Sequence, residues 1–313
     1  MHILVDRVTW WERFWRDAKR WRHVPVGPVN ITFKLTKRWR PRTPLLLIRQ
    51  IKIQSQAMES RPAHARGEDT AAHTAITAPT KGPAVIVGVG PGFGEAAAAL
   101  FAQRGFPVAL VSRSSNALSA FAEDLQSSNR KVRAYPCDVT DERLVIALMR
   151  HIEAELGCPE LVIYAVQAST PGSLLSSEAA AFEECWRANC FGAFLVAREA
   201  ARSMKPHGKG TILFAGATSG TIGRQGYINF APGKFGLRAL AQVIARELWP
   251  DGIHVAHVVI DGDIAESEEP DNEPHIKPNE LAEIFLSLHL QPKSCWASEI
   301  DVRPADERFW EHC

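Results

Sequence analysis

No Cys-x-x-Cys pair occurs in this sequence, and its six cysteines (Cys137, Cys158, Cys185, Cys190, Cys295 and Cys313) do not cluster with histidine. That excludes cysteine-ligated metal and dithiol redox chemistry, and no metal is expected. The thiols read as reduced and mostly buried, in an intracellular, cytoplasmic protein. No apolar run approaches the length of a transmembrane helix. Net charge is also lacking, at +1, and no nucleic-acid partner is expected. That small sum hides an asymmetry: residues 1–80 hold 15 Lys and Arg against 6 Asp and Glu, leaving 21 against 29 for the rest. A basic arm precedes an acidic domain.

The arm carries Trp10, Trp11, Phe14, Trp15 and Trp21 among Arg7, Arg13, Arg16, Lys19, Arg20 and Arg22. Three readings fit it: an organelle-targeting segment, a helix touching a membrane surface, or a disordered extension. Residues 55–80 turn to Ala, Thr, Pro, His and Gly, which is linker composition. Residues 1–80 are therefore expected to be a basic, disordered extension that the domain does not need in order to fold.

From Lys81 onward, short β-branched runs alternate with helical patterns. The runs are Ala84 to Val87, Val108 to Val111, Val132 to Tyr135, Leu161 to Tyr164, Thr211 to Phe214, His254 to Ile260 and a last edge strand from Ala297 to Val302. Between them the pattern predicts helices, including a long one over about 180–204 and another over about 229–248. Such alternation predicts an α/β domain with a doubly wound parallel sheet covered on both faces. One domain is expected over residues 82–305, followed by a tail over 306–313.

The first run leads through Gly88, Gly90, Gly92 and Gly94 into Glu95 and four alanines. Four glycines in seven residues let the backbone approach a ligand where a Cβ would clash. The opening N–H groups of the helix behind them suit a pyrophosphate, so the turn reads as a dinucleotide site. The common Gly-x-Gly-x-x-Gly spacing fails here, because Phe93 or Glu95 falls at its third position. The spacing of Gly88, Gly92 and Gly94 instead resembles the Gly-x-x-x-Gly-x-Gly turn of the short-chain dehydrogenase/reductase family. That family usually has Thr where Val87 stands. The resemblance implies a Rossmann fold with Gly88, Gly92, Phe93 and Gly94 at the cofactor phosphates.

An NAD enzyme would place Asp or Glu after the second strand, but no acid lies between Glu95 and Glu123. Ser112 and Arg113 stand there instead, a hydroxyl and a guanidinium suited to a 2′-phosphate, so NADP(H) is the expected cofactor. A solvated surface arginine is the alternative. Cys137-Asp138-Val139 resembles the family's Asp-Val pair at the adenine, although Asp138 could also cap the next helix. The family's Asn-Ala-Gly is replaced by Ala165-Val166-Gln167, which adds bulk beside the cofactor. Ile264, after Asp261-Gly262-Asp263, matches the residue whose backbone holds the nicotinamide carboxamide.

The resemblance, over roughly residues 84–264, also implies a catalytic set of Asn, Ser, Tyr and Lys. Asn189 matches the Asn and Lys234 the Lys, which would also hydrogen-bond the nicotinamide ribose. Ala217 occupies the Ser position and Phe230 the Tyr position, so the sequence is similar to a branch with Phe-Ala-x-Ala-Lys in place of Tyr-x-x-x-Lys. Even there, Gly233 departs from the small helix former usual before the lysine. The expected function is an NADP(H)-dependent oxidoreductase acting on a carbonyl or alcohol through a non-standard proton donor. Thr218, Ser219, Tyr227, Asn229 or a water held by Asn189 and Lys234 could serve as that donor. The alternative is a catalytically impaired NADP-binding protein. A homodimer is expected too, built on the two long helices through Phe182, Trp186, Phe194, Leu237, Val243 and Leu248.

Overall fold

A computed structural model describes residues 25–26, 29–30, 81–126, 131–265 and 275–305. Chain contacts divide it into two units, Met1–Ala75 and Ile76–Cys313. In the first, Pro25–Val26 and Val29–Asn30 pair as a two-stranded antiparallel ladder. The expectations about targeting, membrane contact and disorder of the arm otherwise lie outside the described residues. So do the C-terminal tail and Cys313.

In the second unit, strands and helices alternate as β1 Ala84–Val87, α1 Phe93–Gln103, β2 Val108–Ser112, α2 Ser115–Gln126, β3 Val132–Pro136 and α3 Glu142–Leu156. Then come β4 Leu161–Tyr164, α4 Ala179–Trp186, α5 Gly192–Met204, β5 Gly210–Ala215, α6 Ala231–Leu248, β6 Ile253–Ile260, α7 Pro278–His289 and β7 Glu299–Val302. All seven strands are parallel, in the order β3-β2-β1-β4-β5-β6-β7. This is the doubly wound Rossmann arrangement. The order reverses between β1 and β4, and the crevice at that switch point is where such sheets bind ligands.

Both faces of the sheet are dry. Ile86, Leu110, Ile163 and Val258 pack with Phe101 of α1 and Phe285 of α7 on one side. On the other, Val87, Val111, Val162, Phe214 and Val255 pack with Val145 of α3, Leu195 of α5 and Leu237 of α6. That two-sided burial explains why the strands read as continuous apolar runs rather than alternating ones. Asp141 caps α3 by accepting from the N–H groups of Arg143 and Leu144, which leaves Asp138 free of the capping role.

Two expectations change. The long helix over 180–204 is broken by a π-helical turn, Arg187–Phe191, between α4 and α5. Of the six residues expected on the outer helix faces, Phe182, Trp186, Phe194 and Val243 are exposed, but Leu237 and Leu248 are buried against the sheet. Leu237 lies one helical turn beyond Lys234, so it shares the inward face. The thiols divide as well, with Cys137 and Cys185 buried, Cys158 and Cys190 half-buried, and Cys295 exposed. No described helix is long and apolar enough to cross a membrane.

Candidate functional site

The glycine turn is forced by geometry at three positions. Gly88 has φ +98°, and a Cβ there would lie 2.7 Å from Ala165 C and Val166 N. Gly92 has φ +84°, with Ala265 O only 3.0 Å from a Cβ. At Gly94 a Cβ would meet Gly88 O at 2.7 Å. Around Gly90, by contrast, a Cβ would find nothing within 4 Å, so that residue faces open space. Gly92 also serves as N-cap of α1 with no side chain to cap it. Glu95 N donates to Gly90 O at 3.2 Å and Ala96 N to Gly92 O at 3.1 Å, so the N–H groups ahead of them, those of Phe93 and Gly94, are the ones without an intrahelical acceptor.

These contacts bring the expected cofactor residues together. Ala165 follows β4 beneath Gly88, its N–H donating to Val87 O at 2.7 Å. Ile264 and Ala265 lie over Gly92, fixed by a parallel bridge to Ile276. Gln167, the bulk expected beside the cofactor, is exposed.

Beyond the ends of β2 and β3, Arg113 and Asp138 line a cavity of about 270 Å³ with Thr140, Ala168, Glu183 and Arg187. Asp138 Oδ1 accepts from Thr140 N at 2.9 Å and Thr140 Oγ1 at 2.8 Å. Burial alone would raise the Asp138 carboxyl, but those two bonds and the charges of Arg113 and Arg187 hold it below the usual range. Val139 is buried, while Ser112 accepts from Ser114 N at 3.2 Å. Sequence reasoning missed Arg187, whose guanidinium donates to Thr140 O at 2.8 Å. Only the π-turn brings it to this edge.

The residues expected at the chemical end gather around that same π-turn. Asn189 is fully buried, and its amide donates to Ala168 O at 2.6 Å and Cys185 O at 2.8 Å. Both N–H groups are thereby committed to backbone, tying the loop after β4 to the turn. Tyr164 donates to Ala188 O at 2.5 Å and anchors the turn from below. Gly233, which departs from the expected helix former, now has a reason. A Cβ there would lie 2.9 Å from Asn189 Cβ, and one at Gly236 would lie 2.7 Å from Cys190 Sγ. The two glycines let α6 cross close to the turn.

Lys234 is fully buried on α6, where its Nζ donates to Ala215 O at 3.1 Å and sits 5.5 Å from the centre of the Phe230 ring. Burial pushes its pKa down to about 8. Ala217 follows β5 and opens the tight turn Thr218–Gly220, which packs on Lys234, a Gly220 Cβ being 2.9 Å from Lys234 O. Thr218 Oγ1, Asn229 Oδ1 and Ser177 Oγ are buried here without a hydrogen-bond partner. Buried polar atoms of this kind are normally hydrogen-bonded. Tyr227 is exposed, its ring centre 6.5 Å from that of Phe230, beside an apolar cavity of about 430 Å³ with Leu174, Ile228, Pro232 and Phe235.

Comparison with known proteins agrees with this architecture. The model of the short chain dehydrogenase family matches residues 83–269. An uncharacterized oxidoreductase of Staphylococcus aureus (strain N315) is 28% identical over 229 residues, covering 71% of this chain and 96% of that one. A short-chain dehydrogenase/reductase of Armillaria gallica is 34% identical over 178 residues, 55% of this chain and 67% of that one. Among solved structures, a short-chain dehydrogenase from Rhodopseudomonas palustris is 33% identical with a TM-score of 0.64, covering 71% of this chain and 98% of its own. With a matching family model across most of its length and the same parallel sheet, glycine turn and crossover helices, this chain belongs to the short-chain dehydrogenase family of oxidoreductases.

Proposed function

We propose that this domain is an NADP(H)-dependent oxidoreductase acting on a small carbonyl or alcohol, with Lys234 supplying the proton that a tyrosine gives elsewhere in the family. The observation that carries the cofactor half is the glycine turn. Its backbone closes on Ala165 and Ala265 where any Cβ would clash, yet Gly90 borders open space and no side chain caps the start of α1. A pyrophosphate fits those N–H donors. Arg113 and Arg187, on either side of Asp138, supply guanidinium groups for a 2′-phosphate. Asp138 Oδ2, left unused by Thr140, would accept an adenine amino group.

When bound, the nicotinamide supplies or accepts the hydride. The rest falls to the chain. In this reading Asn189 holds the loop after β4 in place, and Lys234 meets the cofactor ribose from the α6 side. Phe230 cannot exchange a proton, whereas Lys234 titrates near 8, close to the pH at which an acid catalyst works best. Its ammonium, directly or through a water at the orphaned hydroxyls, gives a proton to the substrate oxygen during reduction. Reduction should therefore slow as pH rises above about 8, when the lysine loses its proton. The exposed apolar positions on α4 to α6 support a homodimer.

A screen of aldehydes, ketones and quinones with NADPH tests this reading, run on the native chain, on Lys234→Met and on the double change Ala217→Ser, Phe230→Tyr. Turnover by the native chain that Lys234→Met abolishes is the expected result. A silent native chain, with activity gained by the double change, would favour the alternative of an impaired NADP-binding protein.

A further inference from the structure

Past the carboxyl ends of β6 and β7, two stretches far apart in the chain are clasped together. Ile260 and Val302 are register partners at those ends, and Asp261 N donates to Val302 O at 3.0 Å. Asp261 is buried. Its Oδ2 accepts from Nη1 of Arg303, the residue directly after β7. The same guanidinium donates to both oxygens of Asp301, Nε to Oδ1 at 2.7 Å and Nη2 to Oδ2 at 3.1 Å, and its side chain is only 17% exposed. Pro304 comes next and packs on Gly262, where φ is +136° and a Cβ would lie 3.0 Å from Pro304 Cδ.

From this clasp the backbone runs on to the glycine turn. Ile276 N donates to Asp263 O at 2.9 Å and Ala265 N to Ile276 O at 3.1 Å, which fastens the segment again further along. Ala265 O then lies 3.0 Å, and Ile264 Cγ2 3.7 Å, from where a Cβ of Gly92 would stand. The placing of Ile264 and Ala265 over the start of α1 therefore depends on two anchors, Arg303 with Pro304 at one end and Ile276 at the other. Without the guanidinium, Asp261 would keep a buried charge that has lost its cation, a costly state. Turning the carboxylate toward water relieves that cost and loosens the segment behind it. The match to the short chain dehydrogenase model ends at residue 269, so Arg303 and Pro304 lie outside it.

We propose that Arg303 and Pro304 are positioning residues for the cofactor site: paired with Asp261 and packed on Gly262, they hold residues 261–265 over the glycine turn, so that the stretch after β7 sets how tightly NADPH is held. The bearing on NADPH rests on the cofactor reading above, whereas the clasp on Asp261 needs no cofactor.

Two measurements on the full chain test this. Amide hydrogen exchange reads the segment directly: Arg303→Met should speed exchange at Ala265 and Ile276 about tenfold or more while amides within β6 keep their protection. Titration calorimetry should show NADPH held about tenfold more weakly. The double change Asp261→Asn, Arg303→Met should lose no more than Arg303→Met alone, because the two side chains act as a pair. Arg303→Lys, which keeps the charge, should recover part of the loss. Asp301→Asn should move both readouts the same way by less, and serves if Arg303→Met fails to fold. Glu299→Gln controls for stability alone, since it weakens the pair with Arg238 at the start of β7 and should leave NADPH affinity within about twofold. Unchanged exchange and affinity in folded Arg303→Met would overturn the proposal, as would an equal loss of affinity in Glu299→Gln. If native protein does not bind NADPH while exchange at Ala265 and Ile276 responds to Arg303→Met, the cofactor reading fails and the positioning of the segment stands.

Discussion

The two ends of the crevice were built under different rules. At the proposed cofactor end the parts are backbone: positive φ at Gly88 and Gly92, the start of α1 without a side-chain cap, and an Ala165 peptide packed where a Cβ cannot go. At the proposed chemical end they are side chains, Asn189 and Lys234, with Ala217 and Phe230 at the positions where the resemblance expects a serine and a tyrosine. Backbone geometry tolerates no gradual change, since one methyl at Gly88 closes the turn. A hydroxyl on a surface facing a crevice can be lost at no cost to folding. The difference teaches that persistence of a binding cradle and persistence of a particular proton donor are separate matters.

The comparison breaks most sharply at Gly88. Gly88→Val combines a strained φ with a clash of 2.7 Å against Ala165 and Val166, and it should weaken NADPH binding by at least about a hundredfold, measured by titration calorimetry. Retained affinity would show that the cradle is not where the cofactor sits.

Lys234→Met should lower turnover by about two to four orders of magnitude while raising stability. The sign follows from linkage. The lysine pKa of about 8 lies below the ordinary lysine value of 10.5, so between those values the unfolded chain binds more protons and stability rises with pH. Below 8 the full cost of the buried charge, about 3 kcal/mol, is present. Chemical denaturation at pH 7 and pH 10 should show the native chain gaining stability with pH and Lys234→Met losing that slope. A methionine variant less stable at pH 7 would mean that the ammonium's hydrogen bond outweighs its desolvation.

Arg113→Ala should sharpen the cofactor side by reducing the preference for NADPH over NADH about tenfold or more, with NADH affinity little changed. Equal losses for both cofactors would shift the 2′-phosphate contact to Arg187. The smallest effect belongs to the outer helix faces. Trp186→Asp, on an exposed ring stacked 5.9 Å from Phe191, should convert a dimer to a monomer in light scattering, and should leave NADPH affinity within about threefold.

How much could be read beforehand differed by region for the same reason. The strands, most helices and the glycine turn were legible because apolar runs and glycine spacing report local geometry directly. The π-turn was not, because nothing in Arg187-Ala188-Asn189-Cys190-Phe191 breaks helical pattern. It exists because Asn189 reaches Ala168 and Tyr164 reaches Ala188, bonds that span more than twenty residues. Leu237 and Leu248 looked like outer-face residues for a similar reason, since helical spacing ranks residues around a cylinder without saying which side meets the sheet.

Local sequence alone was enough to read the parallel sheet, the glycine turn after β1, the absence of an acid after β2 and the Ala217 and Phe230 side chains. All of these depend on residues adjacent along the chain. Only the tertiary structure decided that Arg187 joins Arg113 beside Asp138, that Gly233 and Gly236 bring α6 against the π-turn, and that Arg303 and Pro304 clasp Asp261 and Gly262. Those groups come from different strands and helices, and their effect on one another is set by distance and burial in a medium of low dielectric, which no local pattern of residues encodes.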